Sequence, residues 1–188
     1  MNGQRQLSII SADGTGRQSL SDGFEPQGSV DWSPDGRWIV AGGQDPDGDG
    51  LFKIAVDERR RGRIVTGVAV NPVWSRDGRL IIYNGPNTAG ETLILAVDPE
   101  GERVTLPPIR ARRAGHRFLP DGTGLIYAPG PDFWMLDFKT NETRQITRFA
   151  DQTAWVNRRS FDVTPDGKYL VFDLWRDTSD IVLFDLPK

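Results

Sequence analysis

Short apolar runs of three to five residues alternate with clusters of Gly, Pro, Asp and Asn along almost the whole chain, and no apolar repeat of useful length follows a helical period. Many of the runs are rich in β-branched and aromatic residues, as in Trp38-Ile39-Val40 and Leu80-Ile81-Ile82-Tyr83. Such residues fit a pleated, half-buried surface, so these runs predict strands. Further strands are predicted at residues 51–56, 92–97, 133–138 and 180–186, and shorter outer strands at 63–65, 103–105 and 144–147. The fold class is therefore all-β.

The runs recur in register. "VDWSPDGRWIVAGG", "PVWSRDGRLIIYNG", "HRFLPDGTGLIYAPG" and "FDVTPDGKYLVFDL" align, and their aspartates, Asp35, Asp77, Asp121 and Asp166, lie 42, 44 and 45 residues apart. Each unit reads as a short strand, a tight turn such as Ser33-Pro34-Asp35-Gly36, a second strand, a polar connection, a third strand and an outer strand. Proline suits the second turn position because its φ is preset, and glycine suits the fourth. Four antiparallel strands in about 40–45 residues make one blade of a β-propeller, and stacked blades bury each other's faces. The blades are expected at 21–66, 67–107, 108–148 and 149–188, the last without its outer strand, with an N-terminal hairpin at 1–20 as a partial blade. This is a partial or unusually closed propeller: a piece of a larger ring, a ring edged by its N-terminal hairpin, or a half completed by self-association through open blade edges. Open strand edges are hazardous, so one of these devices is required.

The "WSPDGRWIV" units, the "LFKIAVD" strand and the "TNETRQIT" hairpin resemble the TolB-like propellers, also described as WD-like repeats, over nearly the whole chain. Leu119 and Thr164 stand in place of the serine before the turn, Arg76 in place of its proline, and Phe118 and Val163 in place of the tryptophan at Trp32 and Trp74. These changes conserve packing. The resemblance implies a bacterial-type, non-catalytic module that binds a protein or peptide. The alternative is an enzyme-associated propeller: one attached to a peptidase or a kinase, as the resemblance allows, or one that processes acidic saccharides.

Charge narrows the partner. A net charge of −3 and a pI near 5.2 argue against a general nucleic-acid binder. The absence of cysteine removes disulfides, thiolate nucleophiles and Cys-bound zinc. No apolar run approaches the ~20 residues that span a bilayer, and the first residues lack a signal-peptide core. As given, the chain reads as cytoplasmic; as a piece of a longer precursor it would be periplasmic or extracellular.

Asp45, Asp47 and Asp49 in "DPDGDG" have the spacing of a calcium loop. The position that should carry a bidentate acid is Val56, with Asp57 next to it, so the stretch reads first as the turn between the second and third strands, and second as a calcium site. Connections leading into a blade share one propeller face with the loops between second and third strands. That face is expected to carry Arg110, Arg112, Arg113, Arg148, Arg158 and Arg159, a basic patch on an acidic protein. Arginine grips carboxylate and phosphate bidentately, so the patch suits an acidic partner. Trp155 and Trp175 fall in or beside connections on the same face and are candidate contacts. Trp32, Trp74, Trp38 and Trp134 read as core. His116, the single histidine, is expected on the innermost strand, lining the core or channel, and is counted with the candidate ligand-binding face. The run "ERRRGR" at 58–63 reads as a solvated turn, and Asn141-Glu142-Thr143 as an ordinary hairpin turn. No G-x-S-x-G elbow occurs, and the inner-strand acids Asp31 and Asp162 are not in adjacent blades, so neither hydrolase nor glycosidase chemistry has its parts.

Overall fold

The computed structural model describes all residues except 1–4, 59, 89–90, 112–114, 150–154, 176–178 and 186–188. The described residues form strands and turns only. No helix among them is long and apolar enough to cross a membrane.

A small hairpin, β1 (Ser8–Ile9) with β2 (Gln18–Ser19), precedes the blades. The first blade orders β3 (Glu25–Trp32), β4 (Trp38–Asp45), β5 (Gly48–Ala55) and β6 (Arg61–Thr66) from inner to outer edge. The second orders β7 (Val70–Trp74), β8 (Ile81–Thr88), β9 (Glu91–Val97) and β10 (Arg103–Ala111). The third orders β11 (His116–Phe118), β12 (Gly124–Tyr127), β13 (Trp134–Asp137) and β14 (Thr143–Gln145). The fourth has three strands among the described residues, β15 (Trp155–Val163), β16 (Tyr169–Trp175) and β17 (Ser179–Asp185). The chain divides into two compact units, residues 1–86 with 95–105, and residues 87–94 with 106–188, so both share the second blade.

The repeated turn is built by side chains. Ser33 Oγ donates to Asp35 Oδ1 at 2.6 Å and accepts from Trp38 N at 2.9 Å, while Arg37 N donates to the same carboxylate oxygen at 3.0 Å. Ser75 with Asp77 and Thr164 with Asp166 repeat the arrangement. Leu119 has no hydroxyl to offer, and Thr123 supplies one from the other side of the turn, 2.7 Å from Asp121 Oδ1. Gly36, Gly78, Gly122 and Gly167 all hold a φ of about +70 to +75°, the left-handed region that L side chains avoid.

Alternate residues of each strand face neighbouring blades. Within the first unit, Val40 and Leu51 of the first blade bury against Trp74, Ile81, Tyr83 and Val97 of the second. The opposite face of the first blade, Ile39, Ala41, Phe52 and Ile54, packs on Leu20 and Phe24. Within the second unit, Ile126, Ala128 and Phe133 of the third blade pack on Phe161, Val163, Leu170 and Phe172 of the fourth.

Two expectations change. Residues 107–111 belong to strand β10 instead of a loop, although they include Pro107 and Pro108. An outer strand tolerates proline because the missing N–H faces away from the ladder. Trp32, expected in the core, is 46% exposed, whereas Trp74 at the matching position is 7% exposed. Trp74 has the first blade over it.

Candidate functional site

Strand β4 runs on to Asp45 and β5 starts at Gly48, so "DPDGDG" is a two-residue hairpin, Pro46-Asp47, between paired strands. Asp45 Oδ1 accepts from Asp47 N at 2.9 Å, which closes the turn. The same carboxylate accepts a hydrogen bond from Arg63 Nη2. Arg63 also donates to the carbonyls of Asp47 and Gly48, both at 3.2 Å, and Arg61 Nη2 lies 3.9 Å from Asp45 Oδ2. Both guanidiniums lie over the Phe52 ring, at 5.5 and 5.4 Å. A carboxylate and two carbonyls, the donors a hard cation would use, are thus engaged by arginine. Among the described residues no group of three or more acidic or histidine side chains has a metal-holding arrangement. The run 58–63 is therefore more than a solvated turn: Arg61 and Arg63 fold inward as counter-charges, while Arg60 stays exposed beside Glu58 at 3.3 Å.

The expected basic face is divided. Arg110 is exposed near the end of β10 and pairs with Glu91 at 3.8 Å. Arg148 is exposed on the segment leaving β14. That segment is pinned on both sides of the arginine: Asp132 Oδ1 accepts from Phe149 N at 2.9 Å and from Thr147 Oγ1 at 3.2 Å, and Thr147 Oγ1 accepts from Phe133 N at 2.9 Å. Asp132 Oδ2 further accepts from Gln145 Nε2 at 2.9 Å. Asp132 lies between the second and third strands of its blade, so one carboxylate ties that connection to the segment leaving the outer strand. Sequence reading missed this clamp, for which an Asp in a Gly-Pro-rich connection is only a faint signal. Arg112 and Arg113 lie outside the described residues.

Trp155 and Trp175 lie beside connections, on strand ends. They sit at the paired ends of β15 and β16, opposite each other in the strand register. The next pair is Val156 with Leu174, and the following one is Phe161 with Phe172, so residues 157–160 stand against Asp173 alone. Arg158 and Arg159 thus belong to a wide bulge in the innermost strand, a feature that re-aims side chains and recurs beside functional sites. Register shifts also interrupt β3 between Gln27 and Val30 and β7 between Val70 and Val73.

His116 is 1% exposed and pairs with Tyr127 in the register, consistent with the core reading. Burial pushes the Tyr127 hydroxyl above its usual pKa, with a smaller opposing hydrogen bond involving Thr143. Arg117 was not singled out from sequence. It donates to the His116 carbonyl at 2.8 Å, lies 3.9 Å from Asp162 Oδ1 and stands over the Phe161 ring at 5.7 Å. Asp31 occupies the matching inner-strand position of the first blade, and its Oδ2 accepts from Trp74 N at 2.7 Å. These positions couple adjacent blades within each unit.

A groove of about 480 Å³ lies at the other end of the third blade, lined by Leu119, Met135, Arg144, Ile146, Pro165 and Gly167 among others.

Four-stranded antiparallel blades stacked through alternate strand residues decide the architecture. The fold is a TolB-like β-propeller. TolB from Acinetobacter baumannii superimposes with a TM-score of 0.74 at 16% identity, over 96% of this chain and 46% of that one. A puromycin-hydrolyzing peptidase from Mycobacterium tuberculosis matches with a TM-score of 0.73 at 12% identity, over 98% of this chain and 34% of that one. An oligogalacturonate lyase solved with manganese matches at 0.60 and 13%, over 98% of this chain and 72% of that one. This TolB-like chain spans about half of the Acinetobacter protein and a third of the peptidase. No family model and no curated protein matches it.

Proposed function

We propose that the chain is a non-catalytic propeller module that binds an acidic protein or peptide segment on the face bearing Arg110 and Arg148. The observation that carries this reading is the presentation of Arg148: an exposed guanidinium on a backbone held at both neighbours through Asp132 and Thr147. A pinned backbone lowers the ordering cost of binding, and an arginine fork recognises carboxylate pairs. Arg110 lies near the end of the outer strand of its own blade, and Arg148 lies just past the outer strand of the next.

The test is fluorescence anisotropy with a labelled glutamate-rich peptide. Binding should weaken as salt rises. Arg148→Ala should raise the Kd about 10-fold, a loss of ~1.4 kcal/mol. Arg110→Ala should cost less, because that side chain is already paired with Glu91. Equal binding by the wild type and an Arg110→Ala/Arg148→Ala variant would refute the reading.

A further inference from the structure

The residue three positions after the turn aspartate is Trp38, Leu80, Gly124 and Tyr169 in the four repeats, and the residue two positions before it is Ser33, Ser75, Leu119 and Thr164. The third repeat departs at both places at once. It lacks the large side chain, and it has an apolar group where the others have a hydroxyl. In the first blade Trp38 packs half-buried against the core shared with the second blade, with Lys53 Nζ 4.6 Å from its ring centre. In the third blade no side chain can take that place, because a Cβ on Gly124 would lie 2.3 Å from the Leu136 carbonyl oxygen and 3.1 Å from Leu119 Cδ1. Thr123, next to Gly124, and Asp137, opposite it in the register, line the groove of about 480 Å³. The turns of successive blades approach alike in both units: Pro34 Cδ lies 4.0 Å from a Cβ built on Gly78, and Pro120 Cδ lies 3.7 Å from one on Gly167. The difference between the two sites therefore lies in their side chains.

The chemistry of the groove selects a guest. Leu119, Met135 and Ile146 form an apolar floor that rests on the core of the second unit. Arg144 Nη2 lies 3.8 Å from Met135 Sδ. A thioether and a guanidinium both attract an aromatic ring. Asp121, Asp137 and Asp166 stand around this floor, three carboxylates against the one guanidinium, with Lys168 paired to Asp166 at 3.3 Å. Turn hydrogen bonds hold Asp121 and Asp166 below the ordinary carboxylate value, so both are ionised at neutral pH. Ionised carboxylates accept an indole N–H and attract neighbouring cations.

We propose that the groove over Gly124 receives a tryptophan side chain from a partner protein, on a segment with lysine or arginine beside it. The guest ring takes the place that Trp38 fills in the first blade, against Met135 and Arg144, while its basic neighbours meet Asp121, Asp137 and Asp166. The whole site lies within the second unit. It calls for a basic, aromatic segment, whereas the face bearing Arg110 and Arg148 calls for an acidic one, so the two readings stand or fall separately.

Met135 shares the chain with one other methionine, Met1, so isotope-labelled methionine methyl groups report on the groove by nuclear magnetic resonance. The probe is the end-capped peptide Lys-Lys-Trp-Lys-Lys. Titration should shift the Met135 methyl signal upfield, through the ring current of the guest, and should saturate, while the Met1 signal stays in place. The same peptide with alanine for tryptophan should leave the Met135 signal unmoved, and Glu-Glu-Trp-Glu-Glu should bind more weakly, most of all at low salt. Leu119→Ser, which installs the residue of the first two repeats, should raise the Kd about 10-fold. Arg144→Ala, at an exposed position, should raise it about 3-fold without disturbing the fold. Arg148→Ala should leave the shift unchanged. A Met135 signal that stays in place at millimolar peptide, or that moves equally with the alanine peptide, would overturn the proposal. So would wild-type binding by both Leu119→Ser and Arg144→Ala, or a shift abolished by Arg148→Ala.

Discussion

Ser33 shows how much of each blade rests on one hydroxyl. It is 5% exposed, donates to Asp35 and accepts from Trp38 N, so it ties the turn to the strand that follows. Ser33→Ala leaves the Trp38 amide without its acceptor and should cost ~1–2 kcal/mol in urea unfolding. Ser75→Ala should cost about the same, since Ser75 is 3% exposed and makes the same bonds. The turn carboxylates carry a pH signature. Hydrogen bonds from Ser33, Ser75 and Thr164 hold Asp35, Asp77 and Asp166 below the ordinary carboxylate value of 3.8, and the Thr123 backbone and hydroxyl do so for Asp121. A lowered folded-state pKa favours the ionised native form, so this contribution is present above 3.8 and is lost as pH falls through the lower folded values. Thermal midpoints should therefore fall modestly below about pH 4, since these carboxylates are largely solvated, and Asp77→Asn should flatten the drop. These aspartates were legible because the motif repeats four times. The Asp132 clamp was not, because a single carboxylate binding across fifteen to seventeen residues leaves no local pattern.

At the scale of the strand, the stretch "GGQDPDGDG" reads as a loop by composition and folds as two paired strands around Pro46-Asp47. Its glycines serve close approach as well as turning. A Cβ on Gly42 would lie 1.9 Å from the Ala69 carbonyl, and one on Gly43 would lie 2.3 Å from the Glu25 carbonyl. Gly42→Ala must push the segment leading into the second blade away from β4, and should cost ~1–3 kcal/mol by urea unfolding. The same stretch has calcium spacing, but Arg63 engages Asp45 and the Asp47 and Gly48 carbonyls. Millimolar calcium should leave the wild-type thermal midpoint unchanged. Removing the guanidinium in Arg63→Ala should destabilise the hairpin and leave Asp45 with the Asp47 amide and the more distant Arg61. Spacing along the chain cannot reveal a counter-charge supplied by another strand, so the arginine was invisible to a motif search. Strand β10 was cut short in sequence for a related reason: Pro107 and Pro108 read as breakers unless the strand is known to lie at an edge.

For the molecule as a whole, the period of the Asp-Gly turns was enough to establish the blades, since each unit must bury the faces of its neighbours. The candidate site was less legible. Arg110 and Arg148 are exposed as expected, yet Trp155 and Trp175 lie on paired strands, and Arg158 and Arg159 in a bulge that only the strand register exposes. The central claim is that the pinned, exposed segment at residues 147–149 receives an acidic partner. Hydrogen–deuterium exchange of the chain with and without a saturating glutamate-rich peptide tests it most directly. The account predicts new protection at residues 145–149 and at the end of β10, lost in Arg148→Ala. Protection confined to the groove residues Leu119, Met135 and Gly167, or none at all, would contradict it.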